Sequence, residues 1–141
     1  MKSQFLTYVI ILFIIVSCQS KNLYKKDKDL SIIFGSGGGF TGATEQYELS
    51  GRGSLIKVGI PGDTTKLPSM SKSQKRYLRQ LVNSDSLSRI SYDTYANMTS
   101  FMYVKVKGQQ VYSFHWNGDS KVLPAPLFSL DSFLNTLVKK S

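Results

Sequence analysis

The stretch Ile32-Ile33-Phe34-Gly35-Ser36-Gly37-Gly38-Gly39-Phe40-Thr41-Gly42 determines how the chain is organised, because an apolar run passes directly into a cluster of glycines. It holds five of the eleven glycines in the chain. Glycine is used where the backbone takes a positive φ or where another group approaches it closely. We therefore predict a first strand over residues 30–34 and a shaped, glycine-rich loop after it.

The residues that follow extend this pattern into a sheet. Apolar and polar side chains alternate over residues 43–50, which predicts a half-buried strand. Ser50-Gly51-Arg52-Gly53 predicts a hairpin turn, and residues 54–58 predict an antiparallel returning strand. Residues 59–68 contain two prolines and Gly62-Asp63, so we predict a loop there.

A first helix is indicated by Ser71 and Gln74, which have the spacing of a capping box, and Asn83 is suited to end it. Its predicted apolar face consists of Tyr77, Leu78, Leu81 and Val82. Basic residues occupy the opposite face, which is either solvated or a contact for an acidic partner: Lys72, Lys75, Arg76 and Arg79.

The second half of the chain repeats the order strand, strand, helix. We predict that residues 85–99 are mostly irregular, and that residues 101–107 and 110–116 form a hairpin around Gly108-Gln109. Pro124-Ala125-Pro126 then leads into a last helix. Its apolar stripe consists of Leu127, Leu130, Phe133, Leu134 and Leu137.

The predicted fold class is therefore α+β, in the order β-β-β-α-β-β-α. We expect an antiparallel sheet of about five strands with two helices packed on one face. Residues 30–140 form one domain, since 141 residues are too few for two domains with proper cores.

The N-terminal segment has the features of an export signal. Residues 5–16 are almost wholly apolar and follow a basic start, but they are too few to span a bilayer about 30 Å thick. Ile15-Val16-Ser17-Cys18 resembles a bacterial lipobox. The resemblance implies a signal peptide over residues 1–17 and a diacylglycerol thioether and an acyl chain, such as palmitate, on Cys18. An ordinary signal peptide or a short membrane anchor is the alternative.

Cys18 is the only cysteine in the sequence, so it has no disulfide partner within the chain. Lipidation would explain why an exported protein carries an unpaired cysteine. Residues 18–29 are predicted to form a polar tether, either solvated or in contact with anionic head groups. Gln19 stands where an aspartate would imply inner-membrane retention, so the lipobox resemblance implies the outer membrane. The net charge is +9, but no nucleic-acid motif is present.

The glycine loop is the candidate ligand site. Residues 37–42 satisfy G-x-G-x-x-G, but a strand pattern follows where a dinucleotide fold needs a helix, and no P-loop is present. Two interpretations stay open: a bulge that redirects the chain, or an anion-binding nest of backbone N–H groups. The candidate ligand residues are Gly37, Gly38, Gly39, Phe40 and Thr41.

Catalytic and metal chemistry find little support in the sequence. Gly37-Gly38-Gly39-Phe40 resembles the oxyanion loop of esterases, but the Gly-x-Ser-x-Gly nucleophile motif is missing. His115 is the only possible triad base, and a single histidine among aromatic residues on a strand favours a packed or surface role. The sequence has one histidine and one cysteine, which we expect to be acylated, so we predict no metal site. We also predict no cofactor.

Residues 30–138 as a whole resemble small lipoproteins of Gram-negative bacteria. These carry a Gly-Gly-Gly-Phe-Thr-Gly loop, then a Tyr-x-Leu strand (here Tyr47 and Leu49), a glycine turn, a helix and a late hairpin. The resemblance implies the domain boundaries and an envelope location, and it implies no activity. We expect a non-enzymatic envelope lipoprotein that binds a protein or an envelope polymer. A structural accessory subunit of an envelope complex, or a small hydrolase with the glycine loop as oxyanion hole, are the alternatives.

Overall fold

The computed structural model describes residues 27–38, 44–59, 63–94 and 96–139. A 3₁₀ turn, Asp27–Asp29, begins the described part, and a second, Ser120–Val122, precedes the last helix. The other elements, in chain order, are β1 (Leu30–Gly38), β2 (Thr44–Ser50), β3 (Leu55–Val58), β4 (Thr64–Leu67), α1 (Lys72–Val82), α2 (Asp85–Ser88), β5 (Met98–Val106), β6 (Gln109–Trp116) and α3 (Ala125–Lys139).

The strands form one antiparallel sheet in the order β4-β3-β2-β1-β5-β6. The predicted α+β class is confirmed, with one strand and one short helix more than expected. The additional strand is β4, which lies in the segment predicted to be a loop. The additional helix is α2, where Ser84 caps the first turn and Leu87 is fully buried, in a segment predicted to be irregular.

Strand β1 continues four residues beyond the predicted first strand. Gly37 lies opposite Thr44 of β2 and Thr99 of β5, so this part of the glycine cluster belongs to the sheet. A Cβ at Gly35 would lie 1.9 Å from the carbonyl oxygen of Glu45. Gly38 has φ +106°, and a Cβ there would lie 2.3 Å from the carbonyl oxygen of Asn97. Glycine is thus required because neighbouring backbone approaches too closely for a side chain.

Helix α1 has the predicted capping box. Ser71 Oγ accepts from the Gln74 N–H at 3.3 Å, and Gln74 Oε1 accepts from the Ser71 N–H at 2.7 Å. Asn83 is the C-cap, as expected. Of the predicted apolar face, Leu78 and Val82 are buried and Leu81 is partly buried. Tyr77 is 46% exposed, and its ring contacts Phe133 of α3 edge to face.

The core lies between one face of the sheet and the helices. It is formed by alternate strand residues and by the inner faces of α1 and α3, including Ile32, Leu49, Met102, Val104, Phe114, Leu78, Leu130 and Leu134. The β5–β6 turn is Lys107-Gly108, one residue earlier than predicted, with φ 53° and 78°. The sheet gives the domain two ends. The proximal end is where the described chain begins, at Asp27, and the distal end is where β1 ends, at Gly38.

Candidate functional site

A row of side chains crosses the sheet near its distal end, on the face that the helices cover. Directly opposed residues share a face of an antiparallel sheet, and the register joins Glu45 of β2, Ser36 of β1, Ser100 of β5 and Trp116 of β6. The next row toward the centre is apolar and belongs to the core: Tyr47, Phe34, Met102 and Phe114. On β2, β1 and β5 the covered face therefore changes from apolar to polar within one step, whereas Trp116 on β6 still belongs to the core.

This polar row lines a cavity with helix α3. Asp131 and Asn135, one helical turn apart on α3, line the cavity together with Ser120. Its volume is about 210 Å³. A more open groove of about 430 Å³ shares Ser120, Asp131 and Asn135 and continues along α3 past Thr136 to Lys139. We call the first of these the distal cavity.

Glu45 is held at the cavity by two donors. Its Oε1 accepts hydrogen bonds from Lys57 Nζ at 2.6 Å and from the Tyr47 hydroxyl at 2.7 Å. The bond from Lys57, followed by the bond from Tyr47, lowers the pKa of the Glu45 carboxyl. Burial, followed by the bond to Glu45, raises the pKa of Tyr47. Glu45 is thus an ionised acceptor in a fixed position.

The carboxyl of Asp131 differs from that of Glu45, because its pKa is raised rather than lowered. It is only 8% exposed, and burial raises the pKa of its carboxyl, although a hydrogen bond with Asn135 acts against this shift. None of the described residues that line the cavity is a lysine or an arginine. The lining therefore offers carboxylates, hydroxyls and an amide, which favours neutral polar or cationic groups over anions.

The predicted ligand loop is only partly described. Gly37 and Gly38 lie in β1 and pair with neighbouring strands, so they belong to the ladder rather than to an open loop. Gly39, Phe40 and Thr41 lie outside the described residues, and the ligand-loop hypothesis stays a prediction for them. The glycine-rich stretch nevertheless reaches the cavity, because Gly35 and Ser36 line it.

His115 lies on the opposite face of the sheet, and its side chain is 14% exposed. Its Nε2 lies 2.9 Å from the Tyr103 hydroxyl, and its Nδ1 lies 2.8 Å from Asp93 Oδ1. A neutral ring satisfies both contacts if Nδ1 donates to Asp93 and Nε2 accepts from Tyr103. Ser36 faces the helices, so the sheet separates it from His115 and the two do not form a nucleophile–base pair.

Sequence reasoning missed Asp93, Asp131 and the polar row. Asp93 forms an isolated parallel bridge with His115, a pairing that no local pattern announces. Asp131 interrupts the apolar stripe of the last helix, between Leu130 and Leu134, and this buried carboxyl was the one available sequence signal.

Among residues 27–38, 44–59, 63–94 and 96–139, no group of three or more His, Cys, Asp or Glu residues is placed to hold a metal ion. The helices in this part of the chain are all too short or too polar to cross a membrane. Cys18 and the predicted signal peptide lie outside the described residues. Comparison with protein-family models finds no match to the chain, and comparison with curated proteins finds none either.

Proposed function

We propose that the chain is a lipid-anchored envelope protein whose domain binds a neutral or cationic polar group of a partner in the distal cavity. The partner is a protein or an envelope polymer. One observation carries the proposal: Glu45 and Asp131 line the same cavity together with three serine hydroxyls. The lipobox resemblance at Cys18 supports the location.

A buried carboxyl supports binding because it costs folding free energy unless it is well paired. Asp131 lies in the apolar stripe of α3 next to the core, and the rise of its pKa on burial reflects that cost. An ammonium group or a sugar hydroxyl entering the cavity would donate to Asp131 or to Glu45. Trp116 is buried in the core and forms an apolar part of the cavity wall.

The groove beside the cavity supports an extended ligand. It shares three residues with the cavity, so one ligand chain can contact both. A strand of cell-wall glycan, with its amine-bearing peptides, fits this chemistry, as does a lysine-containing segment of a protein.

Binding can be measured with the lipidated full chain in detergent. The probes are soluble fragments of digested cell-wall polymer, separated into neutral glycans and amine-bearing peptides. We expect one of the two classes to bind, and Asp131→Asn to weaken it at least tenfold. Asp63→Asn is the matched control, because Asp63 is exposed and does not line the cavity.

If neither class binds the wild-type protein, an envelope polymer is not the ligand. Crosslinking from the cavity in intact cells then identifies a protein partner. If cavity variants leave both binding and crosslinking unchanged, the proposal fails and the structural accessory role is favoured instead.

One observation favours hydrolysis as a second candidate. Two carboxyls whose environments move their pKa values in opposite directions can divide the roles of general acid and general base, as in glycoside hydrolysis. Asp131, with a raised pKa, would be the acid, and Glu45, with a lowered pKa, the base or nucleophile. New reducing ends from glycan strands with wild-type protein, absent with Glu45→Gln, would support this function. Binding without products would exclude it for those strands.

A further inference from the structure

The proximal end of the domain brings several chain segments together where the described chain begins. The Gly51 N–H donates to the Leu30 carbonyl at 2.9 Å, which holds the β2–β3 turn against the first residue of β1. The Lys107 N–H donates to the Asp29 carbonyl at 2.7 Å, which holds the β5–β6 turn on the other side. Helix α1 joins this end through an ion pair between Arg79 and Asp27.

Basic side chains surround this end. We define the basic rim as Lys28, Arg52, Lys75, Arg79 and Lys107. Lys28 lies in the first 3₁₀ turn, Arg52 and Lys107 lie exposed in the two hairpin turns, and the aliphatic end of Lys75 lies beside Gly53.

Two further residues extend the rim, and two acidic residues lie within it. Lys72 and Arg76 are exposed and share a face of α1 with Arg79. Asp27, paired with Arg79, and Asp29 are the acidic residues of the first 3₁₀ turn. The balance at this end is therefore positive.

The distal end differs, because the carboxyls of Glu45 and Asp131 line its cavity. Acidic residues are thus placed at the cavity, and a basic rim surrounds the point where residues 1–26 join the domain. A lipid on Cys18 would leave only the eight residues 19–26 before Asp27, which span about 30 Å when fully extended. The proximal end therefore stays within reach of the surface that holds the anchor.

We infer that the basic rim docks on anionic lipid head groups and so directs the distal cavity away from the membrane. This inference rests on the lipid anchor of the proposed function. Charge complementarity selects the occupant: exposed charges attract an anionic surface within about 10 Å, and a tether of at most about 30 Å allows the rim to come within that distance. A single lipid anchor alone fixes position but not orientation.

The test measures orientation directly. The lipidated full chain is placed in vesicles of phosphatidylcholine alone or with phosphatidylglycerol, and the labelling rate of each lysine by an amine-reactive reagent is followed by mass spectrometry. In anionic vesicles we expect Lys28, Lys75 and Lys107 to react about fivefold more slowly than in neutral ones. Lys121 and Lys139, which lie at the distal end, should react equally in both.

Paired variants sharpen the comparison. Arg52→Gln with Lys107→Asn removes two charges from the rim, and asparagine tolerates the positive φ at position 107. Lys121→Gln with Lys139→Gln removes two charges from the distal end. Only the rim variant should abolish the protection of Lys75 by anionic vesicles.

Each other outcome contradicts the inference. Equal labelling in both vesicle types, or protection of all lysines alike, would show that the rim does not dock. Protection in native membranes but not in protein-free anionic vesicles would assign the rim to an acidic protein. The mass of the N-terminal peptide reports lipidation separately. Rim variants should leave binding to the cavity unchanged, because no rim residue lines it, so failure of the proposed function is recognised independently.

Discussion

Lys57 Nζ lies 2.6 Å from Glu45 Oε1, so an ammonium group on β3 holds a carboxylate of the adjacent strand at the edge of the distal cavity. The Tyr47 hydroxyl donates to the same oxygen. Both donors therefore converge on one oxygen of the Glu45 carboxylate. Position and charge of Glu45 are fixed by its neighbours before any ligand arrives.

The Glu45 contacts predict a pH dependence. Because the pKa of Glu45 is lowered in the folded state, its contribution to stability is fully present above the ordinary glutamate pKa, about 4.3. It is lost as the pH falls through the lowered value. Both side chains are about half exposed, so the effect is small and screened by salt. We expect Glu45→Gln to lower Tm slightly at pH 7 and not at all near pH 2, as measured by circular dichroism.

The glycines of β1 predict a contrast between two positions of one strand. A Cβ at Gly35 meets backbone at 1.9 Å, whereas the nearest atoms that a Cβ at Gly37 meets among the described residues belong to the Thr44 side chain, at 3.2 Å. A side chain can rotate away and backbone cannot. We expect Gly35→Ala to cost about 1–3 kcal/mol and Gly37→Ala to stay within about 1 kcal/mol of wild type. Urea unfolding distinguishes the two, and equal costs would contradict the close approach.

The two leucines of α1 predict different losses on truncation. Leu78 is fully buried against the core, so Leu78→Ala should cost about 2–5 kcal/mol of unfolding free energy. Leu81 packs only at the edge of the core, so Leu81→Ala should cost less than about 2 kcal/mol. A larger loss at Leu81 in chemical denaturation would mean that the helix is rotated from the orientation described.

Local patterns in the sequence were enough for most of the fold. Helix α1 carries its own capping box, and the β5–β6 hairpin alternates apolar and polar residues over its length. Strand β4 has no such pattern, because Thr64-Thr65-Lys66-Leu67 is an edge strand that buries little on either face. Its signal is the pairing with β3, which is not local. Gly35 to Gly38 suggested a loop, because only the neighbouring strands reveal why a strand needs glycine there.

Local sequence patterns could not predict the distal cavity either, because it too depends on pairing between residues that are far apart in the sequence. Its lining comes from four strands and α3, and register alone places Glu45, Ser36, Ser100 and Trp116 in one row. Serine and glutamate on a strand otherwise indicate a solvated face. The buried Asp131 was the strongest available sign, since a carboxyl within an apolar helical stripe conflicts with burial.

The proposed lipid anchor predicts that one substitution, at Cys18, releases the protein from the membrane fraction. Changing Cys18 to serine removes the thiol that the lipobox resemblance implies is modified. We expect the wild-type protein to incorporate labelled palmitate and to remain with the membrane fraction after a high-salt wash, and Cys18→Ser to do neither. A wild-type protein that never incorporates palmitate would contradict the lipid anchor.

Asp131 provides the sharpest test of the cavity, because stability and binding should change in opposite directions. Its pKa is raised in the folded state, so the ionised carboxyl lowers stability at pH values above the folded pKa, and this loss disappears as protonation proceeds on acidification. Asp131→Asn keeps the shape of the side chain and removes the charge. We therefore expect a Tm a few degrees higher than wild type at pH 7, a difference that vanishes near pH 3, and weaker ligand binding throughout.

Leu130→Ala serves as the comparison for Asp131→Asn, since it removes a fully buried neighbour and should lower Tm at every pH. If Asp131→Asn instead lowers Tm at pH 7, the carboxyl stabilises the fold, and the cavity loses the main reason to regard it as a binding site.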